Sequence, residues 1–484
     1  MTLDPHDWGA AHATARRMVD DMLHWQETVR DRAPWQPVPQ DVKDRLDEPV
    51  PHAGMPLDEV YDAFVRDILP YPTGNVHPRF WGWVMGTGSP TGMLAEMLAA
   101  GMNAHLAGYD QSASLIEKKV LSWLTDLMGF PETASGVLVS GGTAANLNGL
   151  LAARVAKAGW DIREEGLHAG PPLVVYGSSE THSWAGKACE TMGMGRKAFN
   201  AIAVDAEYRL DLAACRSAIL TDIASGLRPI AIIGNAGTVN TAAVDDLNGI
   251  RALADEFGLW FHVDGAFGSL AAWSASRDLV SGQELADSIA FDLHKWGYLP
   301  YEVGVVLTRD SEAQLAAFQP VAGSAAYLQS SQKGISADTT YFADRGLQLS
   351  RGFRALKVWM SMKEHGAERI GHAIQDNIDQ AHYLGRRVEA TAALELLAPV
   401  SMNIVCFRYA PPDIPESLLN RLNQAILTEL QVRGIAVPSQ TVLANRFAIR
   451  VCITNHRTEL DDLDALVEAV LAIGEELSSV QHLP

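Results

Sequence analysis

Lys295 sits in Asp292-Leu293-His294-Lys295-Trp296-Gly297, directly after the apolar run Ser288–Phe291. Lysines are seldom buried without a task. Between Leu293 and Trp296 this one is expected to be partly desolvated. That lowers an amine's pKa and leaves it neutral and nucleophilic, the state that forms a Schiff base with an aldehyde. Asp264 closes another apolar run, Trp260–Val263. A carboxylate at the end of a buried strand is costly without a charged or hydrogen-bonded partner, so a cation is expected opposite it. A third candidate is Gly141-Gly142-Thr143-Ala144, which follows Val137–Ser140 and opens a helical stretch. Glycines let a ligand approach the backbone, and a helix start offers free N–H donors to a phosphate. The segment is neither a Walker A loop, since no Gly-Lys-Ser or Gly-Lys-Thr follows, nor a GxGxxG fingerprint. By itself such a Gly-Gly pair is most often a plain turn. The fourth is His182, in Ser178-Ser179-Glu180-Thr181-His182-Ser183-Trp184 after the run Leu173–Tyr176. A lone histidine is more often structural than catalytic, but this one also follows a strand end.

All four positions trail short apolar runs, and those runs alternate with helical stretches. Strands are expected at Val137–Ser140, Leu173–Tyr176, Ile202–Val204, Ile230–Gly234, Trp260–Asp264, Ser288–Phe291 and Gly304–Leu307. Helices are expected at 143–158, from about His182, at 210–225 and at 245–257. Alternation of this kind predicts an α/β fold with a mostly parallel sheet covered on both faces, and such sheets bind ligands at the carboxyl ends of their strands. Before this unit the pattern predicts a helix from His6 to about Val29 and a proline-rich extended arm, Ala33–Pro56. After it, a long helix (353–389), strands at Asn403–Phe407 and Phe447–Ile453 and helices at 415–433 and from 459 predict a small α+β unit with an antiparallel sheet. The domain reading is an N-terminal arm (1–75), a large α/β domain (76–350) and a small C-terminal α+β domain (351–484).

Lys and Arg number 38 against 58 Asp and Glu, a formal net charge of −20. An anion of this size argues against nonspecific binding to nucleic acid or acidic membranes. Cys189, Cys215, Cys406 and Cys452 form no CxxC pair and no zinc-type cluster, so no metal is expected, and reduced thiols in the cytoplasm are. No apolar signal region opens the chain. The uncharged stretch Thr133–Ala153 is interrupted by Ser140, Gly141, Gly142, Thr143, Asn146 and Asn148 and is not expected to span a membrane.

A phosphate cradle, an imidazole, a carboxylate for a ring cation and a nucleophilic lysine are together what pyridoxal 5'-phosphate (PLP) requires. The chain resembles the PLP-dependent group II amino acid decarboxylases, the family of aromatic-L-amino-acid and glutamate decarboxylases. The stretches that carry the resemblance are HPRFWGWVMGTGSP (77–90), VLVSGGTAANLNGLLAAR (137–154), SSETHSW (178–184), NAGTVNTAAVDDL (235–247), FHVDGAFG (261–268), DSIAFDLHKWG (287–297), LQLSRGFRALKVW (347–359) and IRVCITNHRT (449–458), in family order from about residue 60 to the end. The resemblance implies the aspartate-aminotransferase-like fold type I and a role for each residue. Lys295 would hold PLP as a Schiff base. His182 would stack on the ring and face the substrate carboxylate. Asp264 would pair with the ring nitrogen, and Ala266 would pack on the ring. Gly142, Thr143 and Ala144, helped by His294, would bind the phosphate. Asn235 would stand near the cofactor hydroxyl, where the family often has Thr or Ser. It further implies decarboxylation of an L-amino acid to amine and CO2 in a homodimer whose sites both chains line.

An aromatic substrate is expected from Trp81 and Trp83, in the segment that lines the family's side-chain pocket. Alternation at i, i+2 would turn both to one face of a strand. An approximate alignment places Asn103 and His105 where the partner subunit contributes. Three features depart from the family. The catalytic-loop tyrosine of aromatic decarboxylases falls by gapless counting on Phe342, with Tyr341 adjacent and Tyr327 a further candidate. Phe there goes, in resembling plant enzymes, with an aldehyde product. Asp292 replaces a common Asn and, as an anion near a phosphate, is expected to turn away or be hydrogen-bonded. HKWGYLPYEVG is closer to the sphingosine-phosphate lyase branch. The competing readings are therefore an aldehyde synthase, a carbon–carbon lyase, an aminotransferase using Arg450 or Arg354 for the carboxylate, and a cofactor-free binding module.

Overall fold

The computed structural model describes residues 2–320, 333–337 and 340–479. Its strands in chain order are β1 (Phe80–Trp81), β2 (Ser135–Val139), β3 (Leu173–Ser178), β4 (Phe199–Ile202), β5 (Arg228–Asn235), β6 (Trp260–Asp264), β7 (Ser288–Asp292), β8 (Gly304–Thr308), β9 (Leu394–Leu396), β10 (Ile404–Tyr409), β11 (Val437–Leu443) and β12 (Arg446–Cys452). Seven form one sheet in the order β2-β8-β7-β6-β5-β3-β4. The run from β7 to β4 is parallel; β8 is antiparallel to both of its neighbours.

The sheet is parallel because helices return the chain between most of its strands, and it is buried on both faces for the same reason. Successive residues of β3 alternate between two cores. Val174 and Tyr176 join one cluster, with Ile232 of β5. Leu173 and Val175 join the opposite one, with Ala231 and Ile233. Every residue of β6, β7 and β8 is buried. No helix separates β7 from β8: the connection 293–303 turns straight back, which makes β8 antiparallel and folds Lys295 over the end of the sheet.

The smaller sheet has the order β1-β11-β12-β10-β9. It is antiparallel except at β1, which pairs parallel to β11. Residues 80–81 therefore depart from the expectation that 76–350 belongs wholly to the large unit. The helix Ala355–Glu389 breaks at Gly366, whose φ is 72°. Beyond the break, Ile370, Ile374 and Ile378 pack on the large core and Ala381, Leu384 and Val388 on the small one, so one helix ties the two units. The proline-rich arm is not wholly extended: Gln40–Leu46 is a helix. Strand β4 begins three residues and ends two residues earlier than expected. Among the described residues no helix is long and apolar enough to cross a membrane, and no group of three potential metal ligands occurs.

Candidate active site

A cavity of about 420 Å³ opens where β2, β3, β5, β6 and β7 end. Gly142, Thr143, Ala144, His182, Asn235, Asp264, Ala266, His294 and Lys295 all line it, so the residues expected around the cofactor converge from five separate segments. Each arrives for the same reason: a buried apolar strand stops at the sheet edge, and residues at its end or within five positions beyond it face the opening.

The helix Gly142–Lys157 starts at the cavity with no side chain capping its first N–H groups. Those donors and the helix dipole make an anion site. His294 is buried beside it. Its Nδ1 lies 3.0 Å from the backbone oxygen and 3.1 Å from the backbone nitrogen of Val303, which fixes the ring with Nε2 on the side of Gly141. Burial holds the His294 pKa below its ordinary value.

Asp264 is buried and surrounded by neutral donors. Oδ1 accepts from Ala266 N at 3.1 Å and Asn146 Nδ2 at 3.4 Å, and Oδ2 accepts from Trp184 Nε1 at 2.5 Å. The cation expected opposite it is not a side chain of this chain among the described residues. Behind Asn146 runs a directed chain of hydrogen bonds. Because a carboxylate only accepts, Asn146 turns its amide nitrogen to Asp264 and its Oδ1 to His262 Nε2, 2.7 Å away. His262 Nδ1 then accepts from Ser288 Oγ at 2.7 Å, and Ser288 accepts from Trp260 Nε1 at 2.8 Å. The whole sequence requires neutral His262, and burial pushes its pKa down to about 4. Gly149 leaves room for this ring: a Cβ there would fall 2.6 Å from His262 Cε1.

Asn235 is pinned likewise. Its Nδ2 donates to Asp245 Oδ2 (2.8 Å), Thr181 Oγ1 (3.0 Å) and Ser178 Oγ (3.2 Å). Burial raises Asp245 to about 6. His182 stands exposed at the mouth, its Nδ1 accepting from Trp184 N at 3.2 Å.

Lys295 corrects an expectation. Its Nζ lies 2.9 Å from Asp292 Oδ2. Burial would lower its pKa, but Asp292, then Asp264 and Tyr301, outweigh it and the net shift is upward. In this state the lysine is an ammonium in an ion pair, not a neutral amine. Asp292 is bonded, as expected, but it faces the cavity rather than turning away.

The tryptophan pair is corrected as well. Trp81 is 1% exposed in the small-unit core, its Nε1 donating to Thr458 Oγ1 at 3.2 Å, and does not line the cavity. Trp83 does line it. Strand β1 ends at Trp81 and Trp83 has φ 53°, so alternation does not extend across the pair. Asn103 caps the helix Pro90–Met102 at φ 47° and is exposed. His105 and Tyr341 lie outside the cavity, joined through Tyr109: its ring centroid is 5.8 Å from His105 and 6.4 Å from Tyr341, edge-on to the latter. Phe342 is 1% exposed, with the Arg351 guanidinium 5.3 Å from its ring. Tyr327 lies outside the described residues. Arg450 donates to the carbonyls of Trp83, Val239 and Asn240, and Arg354 pairs with Glu302 at 2.8 Å. Neither lines the cavity. Sequence reasoning missed Asn146, Trp184 and His262. The signal for Asn146 was present, as a polar residue inside an uncharged helical stretch.

The pyridoxal-dependent decarboxylase conserved domain matches residues 39–410. The chain belongs to this family. It is a PLP-dependent carboxy-lyase of fold type I. An aromatic-L-amino-acid decarboxylase of Bacillus atrophaeus is 33% identical over 443 residues, 90% of this chain and 89% of that protein. An L-2,4-diaminobutyrate decarboxylase of Rhizobium meliloti (strain 1021) is 31% identical over 442 residues, 90% and 86% of the two chains. The structure of Oryza sativa TDC with PLP and tryptamine matches with a TM-score of 0.89 over 98% of this chain and 99% of that one, at 24% identity, a likeness of fold. The decarboxylase cavity fits PLP on its own chemistry. It joins an uncapped helix start for a phosphate, a buried anion held only by neutral donors for a ring cation, and one lysine for an aldehyde.

Proposed function

We propose that the decarboxylase acts on an aromatic or similarly bulky L-amino acid and releases the amine and CO2. The observation that carries the substrate class is the cavity wall. Lys295 is the only Lys or Arg among its described lining residues, and Trp83, Val84, Val239 and Phe267 add apolar surface. An acidic side chain would find no cation there, whereas a flat apolar one is accommodated. The Bacillus relative supports the same class.

When bound, PLP supplies the electron sink for the bond to the departing carboxylate. The chain's residues do the rest. Gly142, Thr143, Ala144 and His294 would hold the phosphate. Lys295 would hold the cofactor. Asp264 would hold the proton on the ring nitrogen. His182 covers the ring and faces the carboxylate, and Trp83 borders the side chain.

The working unit is a homodimer. Met97, Leu98, Met102 and Leu115 leave apolar surface exposed on the two helices that flank His105 in the sequence. A second copy covering it would receive His105 and Tyr341 at its own cavity. Tyr341, rather than the core-bound Phe342, then returns a proton to Cα, which favours amine over aldehyde. Four buried free thiols accord with a cytoplasmic location.

The test is a screen of L-amino acids for CO2 release with identification of the product. Turnover of Trp, Tyr, Phe or dihydroxyphenylalanine to the amine is expected. Activity confined to Glu, Asp or cysteine sulfinate would refute the substrate class. Aldehyde with ammonia and peroxide would refute the product, and a fully active monomer the dimer.

A further inference from the structure

Asp292 is a buried carboxylate at the edge of a site that must accept a phosphate, where an anion should be unwelcome. It is 1% exposed. Oδ2 meets Lys295 Nζ at 2.9 Å, and Oδ1 has no hydrogen-bond partner. Glycines on two sides make the room it occupies. A Cβ on Gly142, where the phosphate helix begins, would come 2.8 Å from Oδ2, and a Cβ on Gly304, at the start of β8, would come 2.8 Å from Oδ1. The carboxylate is thus seated in space that two glycines leave open, within ion-pair distance of one lysine.

We propose that Asp292 is a positioning residue that holds Lys295 as an ammonium whenever the lysine is not bonded to the cofactor, and so sets the pH at which the enzyme captures its cofactor. Capture of an aldehyde needs the neutral amine. The ammonium gives one proton to solvent, its nitrogen forms the C=N bond, and the aldehyde oxygen leaves as water. An adjacent carboxylate opposes the first of these events and keeps the free lysine docked for the return.

The other groups around Nζ act less directly. Asp264 from β6 and Tyr301 from the β7–β8 connection favour the ammonium. His182, His294 and Cys452 also feel its charge, and Glu302 lines the same cavity. Among these, Asp292 is the one within ion-pair distance, and the net direction of the Lys295 shift is upward.

The inference rests on Lys295 as the attachment lysine, not on the substrate. Borohydride reduction of the holoenzyme and peptide mapping come first, and a label on another lysine would overturn that assignment separately. Apoenzyme is then mixed with PLP, and in parallel with pyridoxal, which lacks the phosphate, and the absorbance of the lysine adduct is followed from pH 6 to 10. In Asp292→Asn the rate profile should move at least one unit toward lower pH with both probes. An opposite charge within about 4–6 Å shifts a pKa by about 1–3 units, so capture at neutral pH should become about tenfold faster or more. Asp292→Glu should keep the wild-type profile. A shift seen only with PLP would mean that Asp292 merely repels phosphate and would overturn the proposal, as would no shift with either probe. If Asp292→Asn fails to fold, wild-type apoenzyme decides alone: capture of pyridoxal should still be accelerating at pH 10, and a plateau below pH 9 would refute the ion pair's role.

Discussion

Asp264 and Asp292 end neighbouring parallel strands, point into the same cavity and are both buried, yet their surroundings are opposite in kind. Asp264 is held by Trp184, Asn146 and the Ala266 N–H, none of which carries charge. Its carboxylate is fixed in place with no cationic side chain bonded to it among the described residues, as the proposed ring-cation role requires. Asp292 has little hydrogen-bonding support and one internal cation, Lys295. The contrast teaches that a buried anion is committed by what it lacks. Neutral donors orient a charge without neutralising it, and the site keeps that charge for its ligand. A single ammonium neutralises the charge, and the site turns inward until the lysine is called away.

The strongest way to break this comparison is Asp264→Asn. Removing one partner of a buried charge pair costs about 3–5 kcal/mol. If the loss is felt in the transition state, turnover falls hundreds- to thousands-fold. The apoenzyme should lose some stability as well, because an Asn nitrogen would face one of the N–H donors that now point at the carboxylate; near-normal turnover would show that Asp264 does not serve a ring cation. Lys295→Met tests the other carboxylate. It strands Asp292, and the apoenzyme should lose up to about 3–5 kcal/mol, somewhat less because the lysine side chain is 23% exposed. Adding Asp292→Asn should restore most of that stability in denaturant titrations. No rescue would mean that the pair is not coupled. Trp184→Phe removes one donor from Asp264, and hydrogen bonds to charged groups contribute about 1.5–3 kcal/mol. A loss of about tenfold or more in kcat, with a smaller change in thermal stability, is expected.

The smallest effect concerns pH. His262 is neutral in the fold, with a pKa near 4, against about 6.5 when unfolded. The unfolded chain therefore binds the extra proton first as pH falls. The contribution of His262 is complete above pH 6.5 and declines between 6.5 and 4, by about 2 kcal/mol at pH 5. His262→Gln should flatten that part of the stability profile measured by denaturation at pH 7 and pH 5. An unchanged slope would show that His262 is not the titrating group.

The ends of β3, β5, β6 and β7 were legible because strands buried on both faces read as unbroken apolar runs, and a polar residue after such a run announces the sheet edge. Lys295, Asp264 and His182 were found that way. What pairs with what was not legible. The upward shift of Lys295 depends on a 2.9 Å approach that sequence does not encode, and desolvation alone predicts the opposite sign. The Asn146–His262 chain joins residues 116 positions apart. Trp81 and Trp83 failed for a local reason, since i, i+2 alternation holds only while the backbone stays extended, and Trp83 is left-handed. Strands β1 and β9, of 2 and 3 residues, are too short to produce a period at all.

Strand β1 also bears on how this chain can be cut and recombined. Its Phe80 and Trp81 pair with Val437 and Pro438, and Arg79 O accepts from Val437 N at 3.0 Å. The Trp81 indole fills the interior between Val405, Phe407, Ile449 and their neighbours. A C-terminal piece excised at residue 351 would leave with an open sheet edge and a hole as large as an indole, a combination that invites aggregation. The small unit is not a portable module. A functional chimera between decarboxylases should carry residues 76–90 together with the C-terminal third, so that the inherited block is discontinuous in the gene and continuous in space.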